Sequence, residues 1–395
     1  MRYTDIRFWM VTLLFLLMAG CSDDNAPVKS PVETDYSSFM MYVYMPNGET
    51  RSAEDDRSIY IDRPFEGTVN SLHVWVLARD TNNQLIEITE EAASNGVLYD
   101  NVGSIDSSVT VKQVAFNVAS DFKNNYPYLD VYVIANIESL GKNESWCYPK
   151  ARDVESLQEI ENRLESLQLL SDQFGVGDNM VSDASTYGLP MSGYLKHASV
   201  TKQGALFSTM SIKVKRAVSK LRFVFSKSNI TPDAQVTSVK LNTNMIPDKG
   251  YLFRGTAAEN GVSLNETGYT SSFYGVIDFG APASINTNMM PSSLKWDAYT
   301  SRQQWEDAIN AAIKNGEATE FVRAYLHESP QRLTGTIKYK MTALGEEKSI
   351  AFTMAEGNHF LRNRSWTVYA FFSRGGLVYE VADWEDEEVT FKPFI

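Results

Sequence analysis

Cysteine and histidine are scarce in this chain of 395 residues, with 2 and 4 respectively, and each scarcity narrows its chemistry. Cys21 closes an N-terminal apolar run and is taken up by processing there, so Cys147 has no partner and no intrachain disulfide forms. Cys147 sits in Ser145-Trp146-Cys147-Tyr148 and reads as a packed small side chain. The histidines, His73, His197, His327 and His359, are scattered and never fall in a metal-ligand spacing. Gly-x-Ser-x-Gly, His-Glu-x-x-His and a phosphate-cradling glycine loop are all missing. The expectation is therefore a protein that is not an enzyme, with no catalytic residue, metal site or cofactor to name. The acidic runs Glu54-Asp55-Asp56 and Glu385 to Glu388 lack a loop glycine to set up calcium coordination, and they read as solvated faces. A net charge of −13 leaves no reason to expect nucleic acid or an anionic membrane surface as a partner. Bilayer-spanning apolar runs are absent too: Phe8 to Met18 is only eleven residues long.

The flanks of that short run give it a meaning. Arg2 and Arg7 precede it, and Met18-Ala19-Gly20-Cys21 ends it. The pattern resembles the lipobox of bacterial lipoproteins, cut between Gly20 and Cys21 so that Cys21 becomes an acylated N-terminus. One acyl chain contributes roughly 0.8 kcal/mol per buried methylene and holds a protein only marginally, so stable anchoring takes more than one. Residues 1–20 are read as the signal peptide. The polar, proline-containing stretch from Ser22 to about Asp35 is a tether. Its Ser22-Asp23-Asp24-Asn25 start resembles the signal that sends some Gram-negative lipoproteins to the outer face of the outer membrane; a solvated linker has the same composition.

Aromatic residues make up 12% of the chain, which favours β-structure. Ser37 to Met45 alternates as a strand, placing Phe39, Met41, Val43 and Met45 on one face. A charged, aperiodic stretch with Arg51, Arg57 and Arg63 comes next. Strand patterns resume at 71–78, 84–88, 108–118 and 129–135, and apolar residues at spacings of three and four predict a helix over 153–170. Beyond a polar region near 196–204, further strands are expected at 210–214, 219–226, 235–242, 332–342, 348–354, 365–373 and 377–382. A weak strand is expected at 388–394, and a helix at 302–314. The division is a lipidated segment over 21–51, an N-terminal domain over 52–200 and a C-terminal domain over 201–395, both β-sandwiches. Trp366 and Tyr369 could stack on sugars, although strand aromatics are usually packed.

Four local patterns carry a resemblance that spans nearly the whole chain. They are Leu129-Asp-Val-Tyr-Val-Ile-Ala-Asn136, Leu189-Pro-Met-Ser-Gly193, Val214-Lys-Arg-Ala-Val-Ser-Lys-Leu221 and Leu361-Arg-Asn-Arg-Ser-Trp366. With the lipobox and the strand before an arginine-containing loop, their order and spacing resemble the fimbrillin superfamily of Bacteroidetes, whose members build type V pili. The resemblance implies a mostly β fold of two tandem transthyretin-like β-sandwiches with a few short helices. It further implies that an arginine-specific protease removes the lipid and the first strand together. A neighbouring fimbrium subunit's strand then fills the groove. Here the cut falls after Arg51, making Ser52 the new N-terminus, with Arg57 and Arg63 as weaker alternatives.

Magnitude makes such a loss consequential. Burying the four apolar residues of the strand is worth about 1.5–3 kcal/mol each, about 6–12 kcal/mol gross. A whole domain is stable by only about 5–15 kcal/mol. The emptied groove would expose unpaired backbone groups and would have to be refilled, as strand addition does. Past Trp384 no spare donor arm is recognised, so the expected place is the tip, as a subunit that receives a strand and serves adhesion and biofilm formation, with a host or bacterial surface ligand. The alternatives are an uncleaved basal anchor kept in the outer membrane by its lipid on Cys21, a surface lipoprotein that binds glycans, and a lipoprotein enzyme.

Overall fold

The computed structural model describes residues 36–45, 64–109, 111–140, 156–170, 187–200, 202–203, 206–227, 234–247, 249–253, 273–280, 283–285, 299, 302–329, 331–342, 344–354, 360, 362–373 and 376–382. The described chain is mostly β. Its longer strands are β1 (Tyr36–Tyr44), β2 (Leu72–Arg79), β3 (Val97–Asn101), β4 (Val111–Ala119), β5 (Tyr128–Ala135), β6 (Met191–Ser199) and β7 (Leu206–Lys213). After these come β8 (Ser219–Lys227), β9 (Ala234–Leu241), β10 (Thr319–Leu326), β11 (Thr334–Lys340), β12 (Lys348–Thr353), β13 (Ser365–Ser373) and β14 (Gly376–Ala382). Helices α1 (Pro64–Gly67), α2 (Leu157–Glu165) and α3 (Arg302–Lys314) punctuate them.

Two pairs of sheets result. In the first pair, one sheet runs Lys202–Gln203, β7, β1, β4, and the other Lys215–Arg216, β6, β5, β2, β3, Ala93–Ser94. Their facing residues close one core. Phe39, Met41 and Val43 meet Val74 and Val76 from β2, Val131 and Val133 from β5, and Ile212 from β7. In the second pair, β10-β8-β13-β14 faces a sheet in which β9, β11 and β12 are consecutive. Phe223, Phe225, Val239, Ile337, Phe352 and Val368 fill the core between them.

The helices cover outer faces. Ser156 caps α2 by accepting the Glu159 N–H through Oγ at 3.2 Å. Ile160 and Leu164 of α2 then pack on Trp75 and Ile134, the outward side of β2 and β5. Trp305, Ile309 and Ala312 of α3 seal Val224 and Tyr369 on the outward side of β8 and β13. The α3 boundaries match the spacing-based expectation; α2 is shorter, because Gln168–Leu170 turns into a strand against Lys249–Tyr251.

Leu206–Lys213 and Lys215–Arg216 lie beyond the boundary expected at 200/201, yet their ladders run to β1 and β6 in the first pair of sheets. The first strand of the second pair begins at Ser219. The reason is local: the polar stretch that reads as a linker is a hairpin, with Lys202 opposite Phe207 and Gln203 opposite Leu206. Trp366 and Tyr369 are core residues, 1% and 3% exposed, and form no sugar platform.

Candidate functional site

The candidate site is the slot that β1 occupies. The strand lies inside its sheet, antiparallel to β4 on one side and parallel to β7 on the other. Its sequence alternates, so Phe39, Met41 and Val43 point inward at 0% exposure and Met45, just past the strand, is 2% exposed. The Phe39 ring is 5.8 Å from that of Phe122 and 6.4 Å from that of Phe116. Ser38, Met40, Tyr42 and Tyr44 face the other way and are half-buried, between exposed neighbours such as Gln113 and Asn117 on β4 and Ser211 on β7.

How β1 is held distinguishes it from β8. Both begin their sheet pairs, both lie between two strands, and each has one parallel neighbour. Every residue of β8 is buried, because α3 covers its outer face. Charged side chains rivet β8 in place. Lys220 reaches Glu66 at 3.0 Å, and Arg222 reaches Glu306 at 3.1 Å and Glu320 at 3.0 Å. By contrast, the described side chains of β1 form no ion pair. Their one polar side-chain contact is Gln113 Nε2 donating to Met40 Sδ at 2.7 Å. Apolar burial and backbone ladders hold β1, and any chain with the same alternation can supply both.

Past Arg63, the described chain is fastened at its first helix, α1. Glu66 in α1 is fully buried, with Lys220, Arg323 (3.3 Å) and the Tyr325 hydroxyl all on its carboxylate. Burial, then the Glu66 charge, pushes the Tyr325 phenol well above its ordinary range. Arg216 Nε donates to the Glu66 backbone carbonyl at 2.6 Å, and its backbone N–H to Asn363 Oδ1 at 3.2 Å. The segment around Glu66 is therefore tied to β8 and β10, two strands of the second pair of sheets.

The four sequence patterns converge on this junction. Asn136, at φ 58°, donates to the carbonyls of Thr68 and Leu189, both at 2.8 Å, and accepts the Asn70 N–H at 2.8 Å. Gly193 sits where a Cβ would come within 2.4 Å of the Lys213 carbonyl, so β6 can cross β7 only with glycine there. Arg216 and Asn363 supply the rest. Sequence reading misses Glu66, Arg323 and Tyr325, because a lone glutamate in a four-residue helix carries no local signal of ion pairing.

Cys21, Gly20, Arg51, Ser52, Arg57 and Arg63 lie outside the described residues, as do the acidic runs and the expected strand at 388–394. Among the described residues, no cluster of His, Cys, Asp or Glu could hold a metal ion, and no helix is long and apolar enough to cross a membrane. His73 is buried, with Nδ1 3.0 Å from the Tyr99 hydroxyl. His327 is buried beside the Pro247 carbonyl.

No family model matches the chain, and no curated protein does. Among solved structures, it is similar to the tip fimbrial protein Mfa3 from Porphyromonas gingivalis, with C-terminal truncation. That match has 12% identity and a TM-score of 0.46, over 88% of this chain and 100% of that one. It is also similar to a fimbrial assembly protein from Parabacteroides distasonis, at 11% identity and a TM-score of 0.42, over 91% and 100% of the two chains. A third similar structure, a cell adhesion protein from Bacteroides eggerthii, has 14% identity and a TM-score of 0.43, over 91% of this chain and 97% of that one.

Proposed function

We propose that this chain is a structural and adhesive subunit of a cell-surface fimbrium, made as a lipid-tethered precursor and assembled by strand exchange. The observation that carries the reading is the way β1 is held: central in its sheet, apolar on its inner face, without ion pairs among its described side chains, and upstream in sequence of Arg51, Arg57 and Arg63. Cleavage after Arg51 cuts β1 and the lipid on Cys21 away from the rest of the chain. Departure of β1 exposes about 6–12 kcal/mol worth of apolar surface and unpairs the facing edges of β4 and β7. An extended segment with alternating apolar residues, supplied by another fimbrium subunit, restores both. The chain takes the receiving role, with the tip as its position and the outer surface of the cell as its destination.

Mass spectrometry of fimbriae released from cells tests this reading. The expected N-terminus is Ser52, and replacing Arg51, Arg57 and Arg63 together by alanine should remove the processed protein from the fibre. An acylated Cys21 on fibre-associated protein would instead make the chain an uncleaved basal anchor.

A further inference from the structure

At the end of the first sheet pair where β2 leaves and β5 enters, opposite the Glu66 junction, a cleft of about 500 Å³ opens between three elements. That size falls within the ~300–1,000 Å³ range of small-molecule sites. Arg79 ends β2, and the turn after it brings Thr81, Asn82 and Asn83; Asp130 comes from β5; Lys196 and His197 come from β6.

Three features mark the cleft as built. First, the β5–β6 ladder is bulged there: Leu129 opposes Ala198 and Val131 opposes Leu195, so Asp130 alone faces both Lys196 and His197. A bulge of this kind re-aims side chains out of a sheet. Second, backbone at positive φ occurs on both walls, at Asn83 (64°) and His197 (52°). For histidine this conformation is uncommon and needs support from its surroundings. Asp130 Oδ1 supplies it by accepting the His197 N–H at 2.6 Å, and the His197 ring stacks on Tyr128 at 3.9 Å. Third, the floor is finished while the walls are not. Arg79 bonds Asp130, Glu161 and the Asn83 carbonyl, and Lys196 bonds Glu165. Thr81, Asn82, Asn83 and His197 are exposed residues, and their side chains form no hydrogen bond among the described residues.

Three carboxylates (Asp130, Glu161 and Glu165) surround the two cations of the floor, so no positive charge is left for an anion. What remains is a set of amides, a hydroxyl and a rigid imidazole, which donate and accept together. We infer that this cleft binds a neutral saccharide, its hydroxyls bridging the Asn82 and Asn83 amides while His197 offers a flat wall. The site is separate from the β1 slot; it rests on the adhesive part of the proposed function and names the ligand class.

The test is a glycan array carrying neutral (glucose-, galactose-, mannose- and fucose-terminated) and acidic (sialic- and uronic-acid-terminated) oligosaccharides. It is probed with the full chain before and after arginine-specific cleavage. The expected result is binding confined to neutral glycans and weakened at least tenfold by N82A/N83G, in which glycine keeps the positive φ while the amides are lost, at unchanged melting temperature. His197→Asn, which tolerates the same backbone, should also weaken binding. Absence of glycan binding, preference for acidic glycans, or full binding by both variants would overturn the inference. Fibre incorporation, measured in parallel, separates the two readings. Wild-type protein that enters fibres but ignores glycans refutes the cleft alone, whereas protein that binds glycans but never enters fibres refutes strand exchange alone.

Discussion

Under the proposed strand exchange, Phe39 is the residue that distinguishes the precursor from the assembled form most sharply. It is wholly buried against Phe116 and Phe122, so Phe39→Ala should destabilise the precursor by about 3–5 kcal/mol, read in denaturant unfolding. Fibres grown from the same variant should resist denaturant like wild type, because the residue has left. Weakened fibres would mean that β1 stays. Glu66 should behave in the opposite way, since it lies downstream of the proposed cut. Glu66→Gln strips a buried carboxylate from Lys220 and Arg323 and should cost about 3–5 kcal/mol in precursor and processed forms alike. A loss confined to one form would show that the junction is remade on processing. At this scale, the inward set Phe39, Met41, Val43 and Met45 is legible in the sequence, because alternation is a local property. The partners of Glu66 are not, because ion pairs between distant segments leave no pattern in either one.

β1 and β8 have similar placements in their sheets but are held differently. Covered by α3 and pinned by Lys220 and Arg222, β8 cannot leave without stranding buried charge. For β1 the replacement need only match an alternation and a backbone. Accordingly, cleavage after Arg51 should lower the melting temperature of the isolated protein, and a synthetic Ser37–Met45 peptide added in trans should restore it. A peptide with Phe39, Met41 and Val43 changed to serine should not. Restoration by the serine peptide would show that inward side chains do not select the occupant. Element limits such as those of α3 are readable from spacing, while the hairpin at Lys202–Phe207 has the composition of a linker. Polar, glycine-containing stretches are common to both, and only the ladder to β1 tells them apart.

Over the whole molecule, the arrangement separates three tasks. The slot of β1 is held by apolar burial and backbone ladders, and under the proposed function it is the part that changes occupant. The junction around Glu66, Asn136, Arg216 and Asn363 is held by specific hydrogen bonds and ion pairs that tie the two sheet pairs together. The cleft at the far end of the first sheet pair draws no lining residue from β1 or from that junction. The mostly β architecture is visible in composition and alternation. The internal position of β1, between β4 and β7, is not, because sheet order depends on pairings between segments far apart in the chain.

The most direct measurement of exchangeability is to lock the strand. Met40 and Ala115 are directly opposed on β1 and β4 and face outward, so M40C/A115C, with Cys147 changed to serine, can tie β1 down under oxidising conditions. After arginine-specific cleavage, the oxidised protein should keep its strand and stay out of fibres, and reduction should restore incorporation. Oxidised protein that enters fibres as well as the reduced form would show that the slot never changes hands.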